Sequence, residues 1–398
     1  MDRPAGARPN AFLITLAFIG FVSLGLPDAV TGVAWPSVRD TFGLRQGAVG
    51  LVMVVSGLGY LLSSFLAGRL MHAFGIGLIL ASSTALVAAS MYGFAFSPIW
   101  ALFVFCGCLH GLGSGAIDSG LNGYAAHHLP TRYLIWLHAC YCLGALIGPI
   151  LKSTILSSGR PYSVGYSSVG ATMMAMAVLF LMTYRSWGEA VSTPPSEPTA
   201  SPIGTGAALR NRSVQLQMAV FFLYTGLEVT LSQWTYTVLT ESRQVSPRAA
   251  GLAVGIYWGC LGVGRVLSGF IADRFGVDRL LRYCLLAAAT GAILFASRIS
   301  IDAAFLGVSL AGFGLAPVFP CLMSRTPRRL GTQLSTHAIG FQVGSAMIGA
   351  AAVPGTLGVL AGRVCLESVP IGAALLFILL AVLHEKLLRR PDVGIAPE

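Results

Sequence analysis

The chain has 398 residues, 55% of them hydrophobic and only 10% charged, with a mean hydropathy of +0.76. A soluble domain carries about 25% charged residues, so a water-facing surface is excluded and lipid must cover most of the molecule. The net charge of +10 does not point to nucleic acid, because lysine is confined to Lys152 and Lys386 and the arginines are scattered between apolar runs rather than gathered on one face.

Arg3 and Arg8 precede an apolar run from Ala11, as in a signal peptide, but the run continues past Trp35. A signal's apolar core spans about 7–15 residues, so this segment reads as a retained first membrane helix. A spanning helix needs about 20 mostly apolar residues. The pattern predicts twelve, over 11–37, 47–70, 76–95, 98–125, 134–157, 163–184, 214–240, 248–271, 280–297, 301–322, 333–358 and 367–388. The stretch 185–213, with Pro194, Pro195, Pro198 and Pro202 among Ser, Thr and Gly, reads as a flexible linker. It separates an N-terminal half (1–184) from a C-terminal half (214–398), each with six helices. Eight cysteines fall in apolar runs without a C-x-x-C pair and read as small hydrophobes, so neither a metal site nor a disulfide framework is expected.

With the amino terminus placed in the cytoplasm, sixteen Lys/Arg residues lie in cytoplasmic segments and eight on the opposite side. That bias predicts cytoplasmic termini and a cytoplasmic linker. The Asn211-Arg-Ser213 sequon then lies on the wrong side to be glycosylated. The halves also resemble each other at a shift of 201 residues: Gly50-Leu51 falls on Gly251-Leu252, Gly68 on Gly269, Phe74-Gly75 on Phe275-Gly276, and Gly111 with Gly113 on Gly312 with Gly314. A duplicated six-helix unit explains these matches, and such repeats place a substrate site at their interface near the bilayer midplane.

The same shift exposes a motif. Gly269-Phe-Ile-Ala-Asp273-Arg274-Phe-Gly276-Val-Asp-Arg279 resembles the G-x-x-A-D-R-x-G-x-x-R loop signature of the major facilitator superfamily. The first copy, Gly68 to Gly75, has His72 where the acid belongs and no arginine after Gly75, which weakens the implied charge latch in that half. Gly113-Ser-Gly115-Ala-Ile-Asp118-Ser-Gly-Leu-Asn122 is similar to the fucose-permease branch, as are Leu137-His138 with Gly144, Gly148 and Pro149, and Glu228 with Gln233-Trp234. The resemblance implies an all-α membrane protein with twelve transmembrane helices in two pseudo-symmetric six-helix halves. It further implies proton-linked uptake of a solute, typically a sugar, by a monomer in the cell membrane. Asp118 would be the protonatable acid, Asn122 a substrate contact and Asp28 the acid of the first helix. No cofactor is implied beyond the proton as coupling ion.

The residues themselves offer matching chemistry. Of fifteen acids, only Asp28, Asp118 and Glu228 lie well inside apolar helices, where a charge costs about 2.5–3.5 kcal/mol. A carboxyl group stripped of water holds its proton more tightly, and gaining or losing that proton according to which side it faces is what coupling to a gradient requires. On the fourth helix His110, Ser114, Asp118 and Asn122 form a polar stripe at a spacing of four. Beside it Gly107, Gly111, Gly115, Ser119 and Gly123 form a ridge of small residues over which another helix can pack closely. On the seventh helix Tyr224, Glu228, Ser232 and Thr235 share a face, followed by Gln233 and Trp234. Tyr141, His138, Tyr257, Trp258 and Gln342 complete the candidate solute contacts, since rings and amides together suit a neutral polar ligand. Arg265 reads as a structural counter-charge, with Glu228 as one candidate partner. His127-His128 lacks companion ligands at a metal-binding spacing. Two other readings stay open: export of lipophilic or drug-like compounds by proton antiport, and a non-transporting membrane sensor. Nothing resembles a nucleophile–base pair, so an enzyme is not expected.

Overall fold

The computed structural model describes residues 11–128, 131–187 and 205–390. Among them are twelve helices long and apolar enough to cross a bilayer. The first six are α1 (Ala11–Phe42), α2 (Gln46–Phe74), α3 (Ile76–Phe96), α4 (Trp100–Ala125), α5 (Trp136–Ser157) and α6 (Tyr162–Met182). The second six are α7 (Arg212–Ser242), α8 (Pro247–Ala272), α9 (Val277–Ala296), α10 (Ile301–Gly331), α11 (Ala338–Arg363) and α12 (Ser368–Leu388). No strand occurs among the described residues. Arg3, Arg8 and most of the expected linker, 188–204, lie outside them.

Three spans outrun the apolar pattern by five residues or more, the eleventh running on from 358 to Arg363. The first continues to Phe42 but breaks at Ala29, directly after Pro27-Asp28, giving helices Ala11–Asp28 and Val30–Phe42. Proline has no N–H to donate and crowds the turn before it, so the break falls where the sequence puts it. The tenth continues past 322 because its added turns carry cations with a partner: Arg325 Nη2 lies 2.6 Å from Asp278 Oδ2 at the start of α9. Gly331, at φ 76°, ends it.

Helix pairing repeats between halves. In the first, α1 packs on α5, α2 on α4, and α3 on both α4 and α6; in the second, α7 packs on α11, α8 on α10, and α9 on both α10 and α12. Gly75 and Gly276, which coincide under the 201-residue shift, both turn the chain at positive φ, 81° and 76°. Between halves, α5 meets α8, α2 meets α11 and α1 meets α7.

The α5–α8 seam is close because α8 presents Gly251, Gly255, Gly259 and Gly262 along one face. A Cβ at Gly255 would fall 2.9 Å from Ile150 side-chain carbons, and one at Gly262 would fall 2.8 Å from Cys142 Cβ. All eight cysteines are free thiols, and Asn211 serves as the cap of α7, accepting from the Ser213 and Val214 amides at 2.8 and 3.3 Å.

Candidate functional site

The small ridge of α4 receives α2. Side chains at Gly111 and Gly115 would collide with the carbonyls of Ser56 and Tyr60, and α2 reciprocates with Gly59, where a Cβ would lie 2.6 Å from the Cys108 carbonyl oxygen. This close approach sets the Tyr60 hydroxyl against the neighbouring polar stripe. Tyr60 Oη donates to Asp118 Oδ2 at 2.7 Å, and Asn122 Nδ2 donates to Asp118 Oδ1 at 2.9 Å. Both carboxylate oxygens are thus held by neutral donors, and among the described residues no cation lies within ion-pair distance of Asp118.

Asp28 joins from α1. Its neighbours Leu26, Pro27, Ala29 and Val30 are buried, yet its own side chain is 29% exposed. Ile19, nine residues earlier and so about 180° round the helix, is the exposed lipid-side residue; Asp28 therefore faces inward, between the helices. His110 Nε2 lies 3.3 Å from Asp28 Oδ1, and Tyr141 Oη donates to Asp28 Oδ2 at 2.8 Å. Ser56 Oγ sits 3.3 Å from His110 Nδ1. Gly25 of α1 and Gly144 of α5 each lie so close to the opposing backbone that no side chain would fit, which is what brings the Tyr141 ring to Asp28. Two of the expected acids, with Asn122 and Tyr141, so meet in one polar patch built by α1, α2, α4 and α5.

The opposing half supplies the third acid in a different setting. Glu228 Oε2 accepts from the Tyr224 hydroxyl one turn earlier and lies 3.5 Å from Arg265 Nη2, both side chains nearly buried. Arg265 also reaches across the seam, its Nη1 lying 3.4 Å from Cys142 Sγ. Trp258 donates to Ser232 Oγ at 2.9 Å and meets Tyr141 of the other half edge-on, ring centroids 5.8 Å apart. Tyr257 Oη donates to the Glu228 backbone carbonyl at 3.0 Å. His138 lies edge-on to Phe21 at 5.6 Å.

Other candidates sit elsewhere. Trp234 is buried, its indole donating to the Pro354 carbonyl at 3.0 Å. Gln233 is buried beside it, with its backbone carbonyl closing on Gly32. Gln342 belongs to a separate buried knot, bonded to Gln217 and to Thr326 Oγ1. Of the loop motif, Gly269 and Arg274 lie on the last turns of the helix that ends at Phe275. Gly276 makes the turn, its N–H donating to the Ala272 carbonyl at 3.1 Å. Arg279 is exposed on the first turn of α9. The side chains of Asp273, His127 and His128 lie outside the described residues.

Near the chain turns at 43–45 and 243–246 the halves are locked together. Arg39 Nη1 donates to Glu241 Oε2 at 2.9 Å, Gln46 Nε2 to the same oxygen at 2.8 Å, and Trp35 Nε1 to Gln46 Oε1 at 3.1 Å. Gly47 packs on Val359, and Gly50 on Gly355. Just outside α12, Glu367 accepts from Arg243 at 3.0 and 2.8 Å and from Ser242 at 2.8 Å. Burial alone would push its carboxyl up, but these bonds hold it below the ordinary glutamate value.

A bundle of two related six-helix units, sealed against each other at one end and lined with ionisable groups between them, is the architecture of a membrane transporter. The chain belongs to the Major Facilitator Superfamily, whose sequence pattern matches residues 17–354 and, separately, 218–397. Among curated relatives, it is 25% identical to bypass of stop codon protein 6 of Saccharomyces cerevisiae, over 90% of this chain and 78% of that one. It is 22% identical to sodium-dependent glucose transporter 1 of Homo sapiens, over 86% of this chain and 72% of that one. Among solved structures, a bacterial homologue of the human lysosomal transporter Spinster, inward-facing and occupied, superposes with a TM-score of 0.75 at 12% identity, covering 97% and 98% of the two chains. FucP in its outward conformation superposes with a TM-score of 0.60 at 17% identity, covering 94% and 98%.

Proposed function

We propose that this transporter couples the uptake of a small neutral polar solute, of the sugar class, to proton entry, and that Asp118 carries the proton. The observation that supports this is the contrast between the intramembrane acids. Glu228 has Arg265 beside it, so protonating Glu228 would strand a nearly buried guanidinium. Among the described residues, Asp118 has a phenol and an amide as its partners. Its proton can come and go without orphaning a cation, and the amide of Asn122 can turn to a solute hydroxyl as the proton arrives. Asp28, with His110 and Tyr141, lies close enough to exchange protons with the same patch. Tyr141 and Trp258 meet across the halves, and with Asn122 and His138 they supply the mixture of amide, phenol, imidazole and indole that suits a sugar ring. The halves, joined through 185–213, rock about this site, and the lock at Arg39–Glu241 marks the side that is shut.

The glucose-transporter name of a relative supports the solute class, and its sodium dependence favours one second reading, in which sodium replaces the proton. Purified protein in liposomes, given labelled glucose under an inward proton gradient or an inward sodium gradient, separates them. The expected result is accumulation driven by the proton gradient, lost in Asp118→Asn, with gradient-free glucose exchange preserved. Accumulation that survives Asp118→Asn unchanged would remove Asp118 from the mechanism. Acceleration by sodium alone would transfer the coupling to that ion, and acceleration by an outward proton gradient would make the protein an exporter.

A further inference from the structure

At the end of the bundle opposite the Arg39–Glu241 lock, where α7 begins and α12 ends, a cleft of about 450 Å³ is lined by Arg212, Gln215, Leu216, Lys386, Arg389 and Arg390. Four cations share this space with no carboxylate among the lining groups. None of the four has an ion-pair partner among the described residues. Glu385, next to Lys386, is already bound by Arg282 at 2.5 and 3.0 Å, and Asp392, two residues past Arg390, lies outside the described residues. The amides at the start of α7 are donors too and offer these cations no acceptor, and two of them are already taken by Asn211. Four like charges in so small a volume repel one another, and an anion with several acceptor oxygens relieves that repulsion while accepting their hydrogen bonds.

The surface beside the cleft identifies the source of that anion. Leu375, Leu379 and Val382 are exposed along α12 at 63%, 43% and 45%, and steps of four and three residues carry the same face on to Lys386 and Arg389. An apolar, lipid-facing stripe therefore runs straight into the cationic cleft. We propose that this cleft holds the phosphate of an anionic phospholipid, with its acyl chains laid along Leu375, Leu379 and Val382. The four cations and Gln215 bind the headgroup, and Leu216 closes the cleft toward the bundle. The shared chemistry is a phosphate oxyanion; the apolar stripe selects the lipid over a soluble one.

The test uses the full chain purified in neutral detergent and examined by native mass spectrometry with added phosphatidylglycerol or phosphatidylcholine. Phosphatidylglycerol is expected to stay bound, and to fall by about tenfold or more when Arg212, Lys386, Arg389 and Arg390 are all changed to Gln. Changing the three arginines to Lys keeps the charges and should keep the lipid, which separates loss of the site from loss of folding. The control Arg160→Gln/Arg248→Gln/Arg363→Gln should bind as the unaltered chain does. Leu379→Gln/Val382→Gln should weaken phosphatidylglycerol retention as well. Equal retention after removal of the four charges overturns the site. Displacement of the lipid by millimolar inorganic phosphate, with indifference to Leu379→Gln/Val382→Gln, overturns the lipid as its occupant.

Discussion

Glu241 is the acid through which α7 grips both α1 and α2, so its replacement by Gln tests whether the closed end is held by charge. At 2.9 Å, Arg39 and Glu241 would attract by about 6 kcal/mol with an effective dielectric constant near 20. Their side chains are 17% and 25% exposed, and desolvation, side-chain ordering and salt reduce the net worth of such a pair to about 1 kcal/mol. Glu241→Gln leaves an amide oxygen able to accept from Gln46, so the charge term is what disappears. About 1 kcal/mol is about a fivefold change in the ratio of closed to open molecules at this end. Thr41 and Gln244 are exposed and flank the lock on opposite halves; spin labels there, in a background with the native cysteines replaced, report the opening as a long-distance population in pulsed electron resonance. That population is expected to rise about fivefold in Glu241→Gln and to return in the exchanged pair Arg39→Glu/Glu241→Arg. Identical distance distributions in all three proteins would refute the reasoning, because the lock would then contribute nothing to the equilibrium.

Arg265→Gln removes the cation from a nearly buried carboxylate and is expected to cost about 3–5 kcal/mol of stability, with the double variant Arg265→Gln/Glu228→Gln melting well above the single one; additive losses would show that the two groups act independently. Gly255→Leu places a branched side chain where even a Cβ would lie 2.9 Å from Ile150, so the α5–α8 seam should part and a Ser153→Cys reporter, buried in the closed seam, should react faster with a membrane-impermeant maleimide; an unchanged rate would contradict the packing argument. Glu367 has its carboxyl held down by Arg243 and Ser242 in the folded protein, so its contribution to stability is fully present above the unfolded glutamate value of about 4.3 and is lost as pH falls through the lower, folded value. Glu367→Gln should accordingly flatten the acid limb of a melting-temperature profile below about pH 4.3, and a limb of unaltered steepness would locate the acid sensitivity elsewhere.

The twelve spans are legible in the sequence because lipid leaves no alternative: backbone groups must bond within each segment, and the residues that coat it must be apolar. The ridge on α4 is legible for a related reason, since glycine at every fourth position has few uses other than close helix contact, and α2 does lie on it. What each acid touches was not legible. Tyr60 and Asp118 are 58 residues apart, and Tyr141 and Asp28 are 113 apart; no periodicity within one helix encodes a meeting between two. Pro27 beside Asp28 was a readable sign that the first helix breaks at its acid. Gln342 shows the opposite difficulty. A lone glutamine in an apolar helix reads as a cavity-lining group, yet Gln217 on the facing helix bonds it, and nothing in the sequence singles out Gln217 from Gln215 and Gln233 on the same helix. The apolar pattern stops at 322 because cations follow it, whereas the helix continues with Arg325 paired to Asp278.

The glycines at 251, 255, 259 and 262 give the boundary between the halves an unusual mechanical character. Interlocked side chains would act as cogs, holding two bodies in one register until many contacts broke together. Here the glycines leave room that the Leu146, Ile150 and Ser153 side chains occupy, so only one of the two surfaces contributes teeth. The polar clasps at the rim then carry a larger share of what holds the two bodies together.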